Sequence, residues 1–139
     1  MSLIVERAEV WAASLEDKAG ALGRKLTALA EAGTDLDFIV SRRAPDKPGA
    51  GVVFVTPIRG DKEIEAAAQL GFAVSNSMHS VRIEGDDTPG IAAEMSRKIG
   101  AASISLRGVS AAVIGKRFVM YLAFDSEPDA QKAMRVLER

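Results

Sequence analysis

The chain has 139 residues, of which 47% are apolar, 27% charged and only 5% aromatic. That is the size of one ordinary domain or of two very small ones with an aliphatic core, and it excludes a disordered chain. Zero Cys and one His, His79, remove disulfide frameworks, thiolate nucleophiles and Cys-based zinc sites, and 18 basic against 19 acidic residues, a net charge of −1, exclude a general polyanion binder.

The elements come in a repeated order. Ala8, Val10 and Ala12 alternate with Trp11 and Ala13 as in a strand with two partly buried faces, while Ser2 and Leu3 carry no weight in that pattern. After an acidic, Gly-containing loop, Leu22, Leu26 and Leu29 recur at helical spacing, and Gly33 stands where a C-terminal cap belongs. Leu36, Phe38 and Val40 read as a second strand. Arg43 to Gly51 is a turn-rich hairpin loop leading into Val52-Val53-Phe54-Val55. Ile64, Ala67, Ala68 and Gly71 define a second helix, and Phe72 to Val74 a short last strand. The order is βαββαβ.

A second pass follows. Val81 and Ile83 precede the Asp87–Gly90 loop, a helix carries Ile91, Met95 and Ile99 with Gly100 behind it, and a hairpin runs from Ser103 to Ile114 and from Arg117 to Phe124 around Gly115-Lys116. Pro128 sits near the first turn of a last helix with Ala130, Ala133, Met134 and Leu137. This unit is βαββα, one strand short. The sequence therefore predicts an α+β chain of two ferredoxin-like units, residues 1–77 and 78–139, each an antiparallel sheet with helices on one face. The strand at 72–74 is expected to serve both units in one sheet of order 2-3-1-4-1′-3′-2′; an N-terminal extension or a partner chain is the alternative cover for the open edge.

Both first-strand-to-helix loops are candidate sites, because the free N–H groups and dipole at a helix N-terminus suit a carboxylate. In one continuous sheet the loops would lie roughly 10 Å apart, two strand spacings, over a shared cleft. Asp17 and Asp87 would then hold the ammonium of a zwitterion, a geometry suited to an α-amino acid. The plainer reading of Asp-x-x-Gly is an ordinary turn into a helix with nothing bound.

Asp87-Thr88-Pro89-Gly90 followed by Ile91, between a Val/Ile strand and a helix, resembles the Asp-x-Pro-Gly signature of ACT domains, and Val10 to Leu36 resembles a second copy with Ala19 in the Pro position. The stretch Ile104 to Ala111, with Gly115-Lys116-Arg117-Phe118 after it, is similar to small stand-alone bacterial proteins made of two ACT units. The resemblance implies a regulatory, non-catalytic protein that binds an amino acid through Asp87, Thr88, Pro89, Gly90 and Ile91, and through Asp17, Lys18, Ala19, Gly20 and Ala21. It also implies a homodimer and an enzyme or regulator partner acting in trans.

Other residues point to less. No apolar stretch reaches the ~20 residues of a spanning helix, and Glu6 and Arg7 interrupt any signal-peptide core, so the expected location is cytoplasmic with no membrane partner. Lys116 to Tyr121 only faintly matches an RNA-binding strand, since Phe118 and Tyr121 fall on opposite faces; no nucleic-acid partner is expected. There is no nucleophile with a base, and Asp86-Asp87 alone does not make a metal site, so no catalytic residue, metal or cofactor is expected. His79 reads as a surface or satisfied residue, Arg107 as an edge-protecting charge beside a bulge, and Trp11 as core. The rival function is a non-catalytic protein–protein interaction module with no ligand.

Overall fold

A computed structural model describes residues 3–138. In chain order the elements are β1 (Leu3–Ala8), β2 (Trp11–Glu16), α1 (Ala21–Glu31), β3 (Phe38–Arg43), β4 (Ala50–Thr56), α2 (Gly60–Gln69), β5 (Ala73–Val74), β6 (His79–Asp86), α3 (Ile91–Ala101), β7 (Gly108–Ile114), β8 (Arg117–Phe124) and α4 (Glu127–Leu137). They form two antiparallel sheets of four strands, ordered β3-β4-β2-β5 and β1-β6-β8-β7. The ferredoxin-like repeat is therefore present, but the single continuous sheet is not.

The correction concerns the strand missing from the second unit. It is supplied by β1, whose residues pair with β6 from Leu3↔Gly85 to Ala8↔Ser80. β5 pairs only with β2 and is not shared. The chain divides into Glu9–Ser75 and a discontinuous unit made of the residues up to Ala8 and those from Asn76 onward, so the strand expected over Ala8–Ala13 is β2 of the first unit, and the open edge of the second is covered by the alternative, an N-terminal extension. Leu3 and Val5 face inward and pack on that unit's core, while Ile4 and Glu6 point away, the period of two that a half-buried strand requires.

Each unit builds its own core. In Glu9–Ser75 it consists of Trp11, Ala13, Leu29, Val53, Val55, Ile58, Ala67 and Phe72. In the other, Val81, Ile83, Phe118, Met120, Leu122 and Phe124 from the sheet meet Ile91, Met95, Ile99, Ala130, Ala133 and Leu137 from the helices. Phe118, Met120, Leu122 and Phe124 share one face as their spacing predicts. The helix ends are set locally. Gly33 (φ 96°) closes α1 as a Schellman cap, with the N–H groups of Gly33 and Thr34 donating to the carbonyls of Ala30 and Leu29. In α3 the same bonds run from Ser103 and Ile104 to Gly100 and Ile99, so Gly100 lies inside the helix and Ser103 takes the left-handed position at φ 60°. That corrects the expectation that Gly100 ends α3. The Ser126 hydroxyl caps α4 by accepting from the Asp129 N–H at 3.2 Å.

Arg7, at the end of β1, ties that strand to the unit it completes. Its guanidinium donates to both Glu127 oxygens (Nε at 3.1 and 3.0 Å, Nη2 at 2.6 Å) and to the carbonyls of Ala8 and Ser80. The Arg7 guanidinium first, then the Gln131 amide, hold the Glu127 carboxyl down at about 2. His79 Nε2 donates to the Asn76 carbonyl (3.0 Å) and its Nδ1 lies 3.4 Å from Glu127, which makes it part of this structural cluster.

Candidate functional site

The two loops have the same backbone. Thr88-Pro89-Gly90-Ile91 is a type II turn, with Gly90 at φ 84°, ψ 6° and the Ile91 N–H donating to the Thr88 carbonyl at 3.1 Å. Lys18-Ala19-Gly20-Ala21 repeats it, with Gly20 at φ 85°, ψ −11° and the Ala21 N–H donating to Lys18 at 3.3 Å. Pro89 presets the first central position of the turn and Ala19 tolerates it, so losing the proline leaves the loop shape intact. Each loop is also anchored to the following hairpin: the Asp87 N–H donates to the Lys116 carbonyl (2.8 Å) and the Asp17 N–H to that of Gly49 (3.0 Å).

Glycine is required at these turns by backbone conformation. A Cβ built on Gly90 meets no atom within 4 Å, so the space in front of the turn is open. That space is part of a depression of about 400 Å³ between the head of α3 and the hairpin of β7 and β8. Asp87, Thr88, Pro89, Gly90 and Ile91 all line it, so the structure brings the five sequence candidates of this loop together. It adds residues that sequence reasoning missed: Ala92 and Ala93 from the helix, and Ala111, Ala112, Val113, Phe118 and Met120 from the strands. Small alanines on an edge strand carry no motif. The period-two spacing of Val109, Ala111 and Val113, opposite Leu122, Met120 and Phe118, is the signal that could have found Ala111 and Val113.

The chemistry of the depression comes from its rim. Ile91 and Glu94 donate their N–H groups to Thr88 and Gly90, which leaves the Ala92 and Ala93 N–H groups in the first turn of α3 without an intrahelical acceptor. The adjacent carboxylates divide their roles. Asp86 pairs with Arg117 at 2.9 Å, as does Glu84, whereas Asp87 has no ion pair among the described residues. Arg117 and then Arg82, hydrogen-bonded to Glu84, hold its carboxyl below the usual carboxylate range. The free carboxylate and the free amides thus share one cavity.

The first loop differs. Asp17, Lys18 and Gly20 line a depression of about 250 Å³ with Leu22, Gly23 and Ser41 to Arg43. Lys18 also lines a second one, of about 370 Å³, together with Ala21, while Ala19 lines neither. Here Arg43 already occupies the acid, with Nε 3.0 Å from Asp17 Oδ2. Because the shared sheet does not form, the single cleft expected beneath both loops loses its basis, and each loop stands in its own unit.

Among the described residues no group of three His, Asp or Glu side chains is placed to hold a metal ion, and no helix is long and apolar enough to cross a membrane. Trp11 belongs to the core as expected, although its buried Nε1 lacks a hydrogen-bond partner. Arg107 stands just before β7, pairing with Asp125 at 3.3 Å.

No family model and no curated protein matches the sequence. Solved structures do match in shape. A protein from Bacteroides thetaiotaomicron is similar over 94% of this chain and 88% of its own, with a TM-score of 0.77 at 17% identity. The ligand-free regulatory subunit of aspartate kinase from Thermus thermophilus is similar over 98% of this chain and 93% of its own, with a TM-score of 0.63 at 18% identity. Aspartate kinase from Clostridium acetobutylicum matches 98% of this chain with 33% of its own, with a TM-score of 0.59 at 13% identity. At these identities the likeness is one of fold, and the fold is the tandem ferredoxin-like, ACT-type architecture that also forms the regulatory subunit of aspartate kinase.

Proposed function

We propose that the chain is a non-catalytic regulatory protein of the cytoplasm that captures a small zwitterion, an α-amino acid, at the head of α3. The observation that carries the reading is the depression of about 400 Å³ in which the Asp87 carboxylate has no ion pair, and the Ala92 and Ala93 amides no acceptor, among the described residues. The carboxylate takes the ammonium, the amides and the helix dipole take the ligand carboxylate, and the apolar wall of Ala111, Val113 and Met120 takes the side chain. The loop at Gly20 has the turn but not the free acid, so the Asp87 loop is the primary site and Asp17, Lys18, Ala19, Gly20 and Ala21 form a weaker or structural copy. Regulation then requires an enzyme or regulator in trans.

The fold likeness to regulatory subunits supports the regulatory class, not the ligand. A second reading, an interaction module without a ligand, draws on the edge strand β7, where Val109, Val113 and Ile114 are exposed. A second copy of the chain pairing there would give the expected homodimer and would close the depression from the side.

Thermal shift against the twenty amino acids tests the proposal. A ligand at a hundred times its Kd adds about 2.7 kcal/mol of stability, a shift of several degrees. One amino acid is expected to raise Tm in wild type and not in Asp87→Ala. No shift for any of them, with Asp87→Ala melting like wild type throughout, overturns the sensor and leaves the interaction module.

A further inference from the structure

β2 has one fully paired edge and one that is mostly bare. β4 pairs with it from Trp11 to Glu16, whereas β5 is two residues long and pairs only with Trp11 and Ala12. In the other unit the corresponding position is filled by β1, which pairs along six residues of β6. The Ser75 N–H donates to the Val10 carbonyl, so the main-chain groups of even-numbered residues point toward the β5 side. Beyond the end of β5 those residues are Ser14 and Glu16. The Glu16 carbonyl is taken by the Lys18 N–H, which leaves on this edge the Ser14 N–H, the Ser14 carbonyl and the Glu16 N–H, a donor, an acceptor and a donor in a row.

This stretch is also the wall of a cavity. Ser14, Leu15 and Glu16 line the depression of about 370 Å³ with Lys18, Ala21, Arg24, Lys25 and Leu70. Three cations stand against one carboxylate, and that carboxylate is already held by Lys18 at 2.7 Å. Arg24 has no ion pair among the described residues. The Lys25 ammonium donates to the Leu70 carbonyl at 2.6 Å and stands over the Phe72 ring, and it has no ion pair among the described residues.

We propose that this bare edge of β2 is a docking site for a short acidic peptide segment of a partner protein, which adds as an extended strand beside Ser14–Glu16 and places its carboxylates on Arg24 and Lys25. Main-chain hydrogen bonds supply the fit, Leu15 and Leu70 accept one apolar side chain, and the cations select the sequence. The site is independent of the amino-acid pocket, since it lies in the other unit and uses none of the residues around Asp87.

The test uses the full chain and a fluorescein-labelled hexapeptide alternating Glu with Val, its Lys–Val counterpart, and inorganic phosphate as competitor. The Glu peptide is expected to bind saturably and the Lys peptide not. Affinity should fall at least tenfold in Arg24→Glu and also fall as salt is raised. Amide exchange at Ser14 and Glu16 should slow on binding. Ser14→Pro, whose lost N–H faces away from the β4 ladder, should keep its melting temperature and lose the peptide. If Ser14→Pro unfolds, the exchange protection and Arg24→Glu decide. Equal binding of both peptides, or none, overturns the proposal. So does displacement by phosphate with Ser14 and Glu16 exchange unchanged, the behaviour of a small-anion site.

Discussion

Replacing Arg7 by Ala should loosen β1 from the unit it completes, and the loss should depend on pH in a calculable way. The Glu127 carboxyl is held at about 2, against 4.5 for a free side chain, chiefly by Arg7. Taken at face value, that difference is worth ~3 kcal/mol. Glu127 is 46% exposed, so solvent screening brings the pair down to about 1 kcal/mol. The hydrogen bonds from Arg7 to the Ala8 and Ser80 carbonyls add about 1 kcal/mol more. The expected loss at pH 7 is therefore about 2 kcal/mol, a Tm drop of roughly 5–10 °C.

The sign of the pH effect follows from the direction of the shift. A carboxyl whose folded value is depressed contributes stability that is present above its unfolded value and is lost as pH falls through the folded one. The window is thus from about pH 5 down to about pH 2, and more than half of the ion-pair part should be gone by about pH 3. Urea melts of wild type and Arg7→Ala across that range, in a His79→Gln background that removes the ring 3.4 Å from Glu127, measure it. The gap should narrow to about 1 kcal/mol, the part due to the carbonyl bonds. A gap that stays constant from pH 7 to pH 3, or an Arg7→Ala protein as stable as wild type at pH 7, refutes this account of how β1 is held.

Three backbone substitutions test the turns and one close approach, each read by equilibrium denaturation. Ser103→Gly should stabilise by about 1 kcal/mol, because Ser103 bears a Cβ in the left-handed position that closes α3. Ala19→Pro should stabilise by about 0.4–1 kcal/mol, since Pro89 occupies the same position of an equivalent turn; a loss would mean that the two loops are not equivalent. Gly51→Ala should destabilise by about 1–3 kcal/mol, as its Cβ would lie 2.8 Å from the Arg42 carbonyl oxygen in the neighbouring strand and the backbone would have to shift; wild-type stability would show that β3 and β4 separate at little cost.

The fold was legible where it is local. Leu22, Leu26 and Leu29 with Gly33, and the four alternating residues from Phe118 to Phe124, carry their structure in spacings of a few residues, and the structure reproduces them. β1 failed on range. Leu3 and Val5 do alternate with Ile4 and Glu6, but the edge they cover belongs to β6, on the far side of an entire inserted unit. No local pattern states which of two open edges a strand will choose. Gly100 is a different case: it stands behind the last apolar residue and reads as lying past the helix, whereas the hydrogen bonds of Ser103 and Ile104 carry the helix about one turn further, to a left-handed serine.

The candidate site shows the same division between local and distant information. Asp87 to Ile91 could be named from the sequence because the turn, the glycine and the helix start are contiguous. What separates this loop from its copy could not. In the sequence the visible difference is Pro89 against Ala19, and the two turns turn out to share one conformation. The difference that bears on binding is electrostatic and comes from elsewhere in the chain. At the first loop Arg43, reaching from the end of β3, neutralises Asp17, whereas at the second Arg117 is drawn to Asp86 and Glu84 and Asp87 has no ion pair among the described residues. Two loops of one backbone shape therefore offer a ligand ammonium different welcomes, and the asymmetry is set by which neighbouring arginine reaches which acid.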